Sequence, residues 1–248
     1  MYRWGYFPET RFYDKTQWES LKPREGRLEI VWAGRFIPLK HPEYMVRLAR
    51  RLADNAALWQ KNGVEGFHDF HIHMAGSGEM EEELRAMAKA EGVADSITFH
   101  GFMTPEKVRH IMEGCHIHVF TSNHLEGWGA VVNEAMNSGC AEVAKVQAGA
   151  VPYLLRHGEN GFVYPDGDFE KMAELVQKLA AKPSLIQETG KAAYETITKL
   201  WNAERAAGEL VRFAKGILEG KPEPAKEGPL SPAPVIAPGR MYRLMMKK

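Results

Sequence analysis

From Leu28 to about Leu218, short apolar runs alternate with longer stretches of helical period, and that alternation leaves few folds open. The runs Leu28–Ala33, Phe70–Ala75, Ser96–His100, His116–Thr121, Ala141–Val146 and Gly161–Tyr164 have the length and the branched or aromatic content of strands. Helical patterns separate them at Glu43–Lys61, Glu79–Ala90, Pro105–Glu113, Ala130–Asn137 and Pro152–Arg156. Three more follow, at Phe169–Ala181, Ser184–Lys199 and Trp201–Leu218. Strands joined through a crossover helix run parallel, and such sheets are covered on both faces. The expectation is therefore an α/β fold, a parallel sheet with helices on both faces. Gly34, Gly76, Gly101 and Ser122 then fall just past the carboxyl ends of strands, where open α/β sheets bind their ligands.

The flanks read differently. Residues 1–27 show no strand or helix period and are rich in aromatic and charged side chains, as an extended linker would be. Residues 28–218 form the domain. Residues 219–248 read as a proline-rich tail, holding six of the fourteen prolines and closing on Arg240, Arg243, Lys247 and Lys248; poor packing is expected there.

Thirty-two basic residues balance thirty-two acidic ones, so no global field argues for nucleic acid. Cys115 and Cys140 sit at apolar strand edges and, with no leader of secretory type, read as reduced core thiols in a cytoplasmic protein. No apolar run reaches the length of a membrane span.

The densest chemistry lies in Glu126-Gly127-Trp128-Gly129, which opens the helix carrying Glu134. A helix N-terminus offers unpaired N–H groups and partial positive charge, and glycines let a ligand approach the backbone. Either glutamate alone would read as solvated; bracketing this turn, both can accept hydrogen bonds from one polyhydroxylated ligand. Arg35 and Lys40, five residues apart after the first strand, supply a guanidinium fork and a mobile ammonium suited to adjacent phosphates. Gly76-Ser77-Gly78 also follows a strand, yet a dinucleotide fingerprint fails, because Glu81 stands where its third glycine belongs. His71-x-His73 and His116-x-His118 each put two imidazoles on one strand face without a third converging ligand, so packing is expected and no metal. In the fifth strand, Glu142 and Lys145 point to opposite faces and cannot pair, and burying either alone would be expensive.

The Glu126-to-Glu134 stretch resembles the paired-glutamate motif of retaining glycosyltransferase family 4, of GT-B fold. Val31-Trp32-Ala33-Gly34-Arg35 with Lys40 is similar to that family's phosphate site. Met74–Gly78, Ile97–Phe102, Gly158–Val163 and Trp201–Glu204 are similar to the segments around it, in order, over about residues 28–215. The resemblance implies one Rossmann-like half of a GT-B fold, the carboxy-terminal donor-binding half, with Tyr2–Pro8 similar to the interdomain connection. It implies a hexose-type transferase for a glycan or lipid-linked acceptor, using a UDP- or GDP-linked sugar as substrate and no cofactor. Arg35, Lys40 and Glu126 would be catalytic. Gly34, Gly76, Gly78, Phe102, Gly127, Trp128, Gly129 and Glu134 would bind the nucleotide sugar, with Glu134 on the ribose and Glu126 on the sugar. An amino-terminal domain or partner chain would supply the acceptor wall, and membrane contact would be at most peripheral, at the inner face. The alternative is a non-catalytic nucleotide-binding subunit that needs a partner.

Overall fold

The first run, Leu-Glu-Ile-Val-Trp-Ala, forms strand β1 (Leu28–Ala33), almost wholly buried as expected of a strand covered on both faces. The computed structural model describes residues 1–22, 26–62, 66–235 and 238–246. Five more strands follow: β2 (Phe70–Ala75), β3 (Ile97–Gly101), β4 (Ile117–Phe120), β5 (Ala141–Lys145) and β6 (Phe162–Tyr164). Every pairing is parallel, in the order β3-β2-β1-β4-β5-β6. Strand ends differ from the expected ones by a residue or so, as hydrogen-bond boundaries do.

One face is covered by α2 (Glu43–Asn62), α3 (Glu81–Ala90) and α7 (Phe169–Ala180), over a core that includes Ile30, Trp32, Ile72 and Met74. The other carries α4 (Pro105–Gly114), α5 (Ala130–Asn137) and α8 (Pro183–Lys199); there Val31 meets Met112 and Ala135. The chain runs outward from β1 to β3, then crosses back to place β4 beside β1. Loops leaving β1 and β4 therefore diverge to opposite faces and open a crevice at the strands' carboxyl ends.

Both flanks depart from expectation. Residues 15–20 form a short helix, α1 (Lys15–Ser20), capped reciprocally by Asp14 and Gln17. Its neighbourhood is packed: Trp18 and Tyr13 lie against Tyr194, and Phe7 stacks on Trp201. The final stretch is no loose tail either. Arg3 and residues 230–231 exchange backbone hydrogen bonds of 2.8 and 2.9 Å, and Ala225, Leu230 and Ser231 are buried. A last helix, α10 (Pro238–Met245), sets Met241, Tyr242 and Met245 against a buried cluster that includes Phe120, Trp128, Val163 and Trp201. Proline lacks a donor but keeps its carbonyl, so a proline-rich segment can still dock on its neighbour's backbone. Lys247 and Lys248 lie outside the described residues. Two shorter helices complete the set: α6 (Val151–Leu154), and α9 (Ala203–Leu218), which starts where Asn202 accepts from the Arg205 N–H.

Glu142 and Lys145 are indeed on opposite faces, and each has found its own partner. The Glu142 carboxylate lies 2.8 and 2.9 Å from His118 Nδ1, both residues fully buried. Lys145 Nζ lies 3.0 Å from Asp166 Oδ1 and 5.6 Å from the Tyr44 ring centre. The other histidines of the two strand pairs are also bonded. His71 meets Thr98, His73 lies between His100 and Glu29, and His116 Nδ1 accepts from the Glu29 N–H.

Candidate active site

The crevice floor is backbone. Gly34 N–H donates to the Ala75 carbonyl at 3.0 Å, and Gly76 lies so close that a Cβ on it would come within 1.8 Å of the Gly34 oxygen. With φ at +147°, Gly76 also occupies a conformation that other residues avoid. The loops after β1 and β2 are thus in direct contact. Gly78 serves the same contact one step further on, against the Phe36 carbonyl, and does not line the crevice.

On this floor sits a cleft of about 300 Å³. Gly34, Arg35, Gly76 and Ser77 line it from the first two loops. Phe102, Met103, Pro105 and Val108 do so from the third loop and the start of α4, and Val131 and Glu134 from the first turns of α5. Five of the sequence-derived residues (Gly34, Arg35, Gly76, Phe102 and Glu134) therefore meet at one place. Arg35 is exposed and makes no side-chain ion pair among the described residues. Phe102 is 85% exposed at the rim, where its ring can lie over a ligand. Burial in these apolar walls pushes the Glu134 carboxyl above its ordinary value, against the opposing pull of Arg109, His118 and Arg11.

Lys40 and Glu126 form a second unit. Three bonds bring the loops after β1 and β4 together. Asn123 N–H donates to the Leu39 carbonyl at 2.9 Å, the Thr121 hydroxyl donates to the Lys40 carbonyl, and Trp32 Nε1 donates to that hydroxyl at 2.8 Å. The turn Pro38–Lys40 then aims the ammonium at the Glu126 carboxylate, with the two side chains only 16% and 14% exposed. Neither residue lines the cleft itself. Sequence reasoning placed both at the site but missed their pairing, and it missed Thr121 as the bond that holds the two loops. A hydroxyl residue at the end of a strand was the available signal.

Trp128 turns inward. Its indole is buried, donates to Asn133 Oδ1 at 2.9 Å and stacks on Tyr153, while its carbonyl accepts from Ala150 N–H at 2.6 Å. That carbonyl is committed to the protein rather than open to a ligand. Gly127 is exposed with open space around it, and Gly129, at φ +78°, starts α5 over the Phe120 ring. Among the described residues no cluster of three metal-ligating side chains occurs. Nor is any of their helices long and apolar enough to cross a membrane.

A parallel sheet with a largely apolar cleft at its strand switch point, lined also by the free Arg35 guanidinium and the half-buried Glu134 carboxylate, defines an α/β domain with a ligand-sized cleft where such sheets bind small molecules. The chain belongs to the glycosyl transferases group 1 family, whose pattern it matches over residues 14–196. It is 31% identical over 153 residues to an uncharacterized glycosyltransferase of Haemophilus influenzae, covering 61% of this chain and 41% of that one. Over 199 residues it is 26% identical to a GDP-mannose-dependent alpha-(1-6)-phosphatidylinositol monomannoside mannosyltransferase of Mycobacterium tuberculosis (77% and 48% of the two chains). The C-terminal domain of a group 1 glycosyl transferase (LpcC) from Francisella tularensis has the same fold, with a TM-score of 0.61 at 23% identity. That match covers 78% of this chain and 95% of that domain. Measured against the curated relatives, the chain spans about half their length or less. The fold is the Rossmann-like unit that forms one half of a GT-B glycosyltransferase.

Proposed function

We propose that this chain is the donor-binding, carboxy-terminal half of a retaining glycosyltransferase of family 4. It would take a UDP- or GDP-linked hexose, without a cofactor, for transfer to a glycan or lipid-linked acceptor. The work would be done in the cytoplasm, at most peripherally at the inner membrane face. The observation that carries this reading is the convergence of Arg35 and Glu134 on one cleft at the strand switch point. A guanidinium fork suits phosphate oxygens, and a carboxylate in the same cleft suits a pair of ribose hydroxyls. Beside the cleft, Lys40 and Glu126 are placed for the reacting end of the donor: Glu126 for sugar hydroxyls, Lys40 for the diphosphate.

The chemistry follows from these charges. As the glycosidic bond breaks, negative charge grows on the leaving diphosphate, and two preorganised cations stabilise it; each such group is worth about 3 kcal/mol. The leaving diphosphate would assist the acceptor hydroxyl on the same face, with no protein nucleophile. Because the chain covers only part of its relatives, a second reading has an observation behind it: a nucleotide-binding subunit that acts only beside a partner. Calorimetry against UDP, GDP and ADP, with Lys40→Ala and Glu134→Ala alongside, tests the first reading. Weakening of the preferred nucleotide by tenfold or more in both variants is expected at about 1.5–3 kcal/mol per charge-assisted bond. Failure of all three nucleotides to bind the wild type overturns it. Assaying transfer with an amino-terminal half of a relative supplied separates enzyme from subunit.

A further inference from the structure

Arg109 is buried, yet among the described residues it forms no ion pair with a carboxylate. It belongs to α4, next to Val108, which lines the cleft. Nη2 donates to Asn137 Oδ1 at 2.7 Å, Nη1 donates to the Glu9 carbonyl at 3.2 Å, and Nε has no hydrogen-bond partner. A buried guanidinium held only by neutral acceptors needs a counter-charge nearby, since an uncompensated buried charge is expensive.

Two carboxylates feel this charge, Glu113 and Glu134. Glu113 is already occupied by the Arg11 guanidinium and the Tyr13 hydroxyl. Glu134 makes no side-chain hydrogen bond or ion pair among the described residues and sits on α5 one turn before Asn137, the very side chain that fixes Arg109. We propose that Arg109 is a positioning residue, the counter-charge that holds the Glu134 carboxylate as a hydrogen-bond acceptor presented to the cleft. The inference rests on the reading of Glu134 as the hydroxyl-binding acid. Such an acid must stay ionised to accept from two hydroxyls, while the apolar walls of Val108, Val131 and Phe102 favour the neutral form. The other charges around Glu134 are His118 on β4, itself engaged by Glu142, Arg11 in the amino-terminal segment, paired with Glu113, and Arg35 in the same cleft. Unlike His118 and Arg11, Arg109 pairs with no acid among the described residues, and unlike the exposed Arg35 it is buried.

The test is the titration of the Glu134 side-chain carboxyl, followed by carbon-13 NMR in the full chain without ligand and assigned with Glu134→Gln. Arg109→Gln should raise the midpoint by on the order of one pH unit, and Arg109→Lys should raise it less, because the ammonium keeps the positive charge while losing the guanidinium's fixed fork. If Arg109→Gln does not fold, Arg109→Lys is read alone. A midpoint that stays at the wild-type value in a folded variant overturns the proposal. In a second arm, UDP and GDP affinities are measured from pH 5 to 8. The loss on acidification should move to higher pH in Arg109→Gln, with affinity near wild type recovered at the alkaline end. Were neither nucleotide to bind the wild type, the reading of the cleft would fall, and the ligand-free titration would still decide the role of Arg109.

Discussion

Replacing Glu126 by Gln separates two things that the structure joins. Lys40 is neutralised by Glu126 in the free protein, so an arriving diphosphate has to compete with a carboxylate for the ammonium. A charge-assisted hydrogen bond contributes about 1.5–3 kcal/mol when both partners are held in place. Here the side chains keep 16% and 14% of their exposure, and the diphosphate regains only part of what the carboxylate gives up. A part of that contribution, about 1 kcal/mol, is the appropriate figure, and it corresponds to roughly fivefold in affinity. Glu126→Gln should therefore tighten free UDP or GDP about three- to tenfold while weakening the intact sugar nucleotide, which loses an acceptor for its hydroxyls. The gain should shrink between low and high salt as the freed ammonium is screened. Titration calorimetry on wild type, Glu126→Gln, Lys40→Ala and the double variant reads the effect. On the Lys40→Ala background the Gln substitution should bring no gain. Weaker binding of free nucleotide in Glu126→Gln, or an equal gain with and without Lys40, would refute the competition argument.

Other consequences can be checked on stability. Burial raises the Glu134 carboxyl above its unfolded value of 4.5, so ionising it opposes folding and the associated stability is lost as pH rises through that range. Glu134→Gln should accordingly be more stable than wild type at pH 7, with the two urea unfolding curves converging near pH 4; a pH-independent difference would contradict the burial argument. Gly76→Ala drives a Cβ into the Gly34 carbonyl at positive φ and should cost on the order of 3 kcal/mol or abolish folding, measured by the shift in urea midpoint. Glu142→Ala strips the buried His118 of its partner and should cost about 3 kcal/mol, whereas Glu142→Gln keeps one hydrogen bond and should cost less; equal losses would show that packing alone is at stake.

The sheet was legible because its signal is local. Buried parallel strands such as Leu28–Ala33 are apolar throughout, and the helices between them carry a 3.6-residue period. Arg35 and Glu134 could be read as site residues because topology alone sends the ends of β1 and α5 to one crevice. What escaped depends on contacts between distant segments. Nothing near Lys40 shows that Thr121 will accept from Trp32 and donate to the Lys40 carbonyl, drawing the ammonium onto Glu126. Trp128 reads as part of the nucleotide-sugar site until Asn133 and Tyr153 claim its indole and Ala150 its carbonyl. The terminal segments fail for the same reason. Arg3 and Leu230 bond across more than two hundred residues of sequence, and neither segment has a period that announces it. The capping box at Asp14 and Gln17 was the exception, a local signal present in the sequence and passed over.

The contact between Gly34 and Gly76 makes the base of the cleft a surface of backbone and small side chains, Ala33, Ala75 and Ser77 beside the two glycines. Such a surface offers a ligand mainly peptide groups, which are the same in every protein and, at the glycine contact, cannot be altered by point mutation without dislodging a loop. Discrimination between one ligand and another is therefore delegated to the rim, to Arg35, Phe102, Met103 and Val131, whose side chains can be exchanged without disturbing what lies beneath. An engineer seeking a changed ligand preference has a small and separable set of positions to vary, and a foundation that is best left alone.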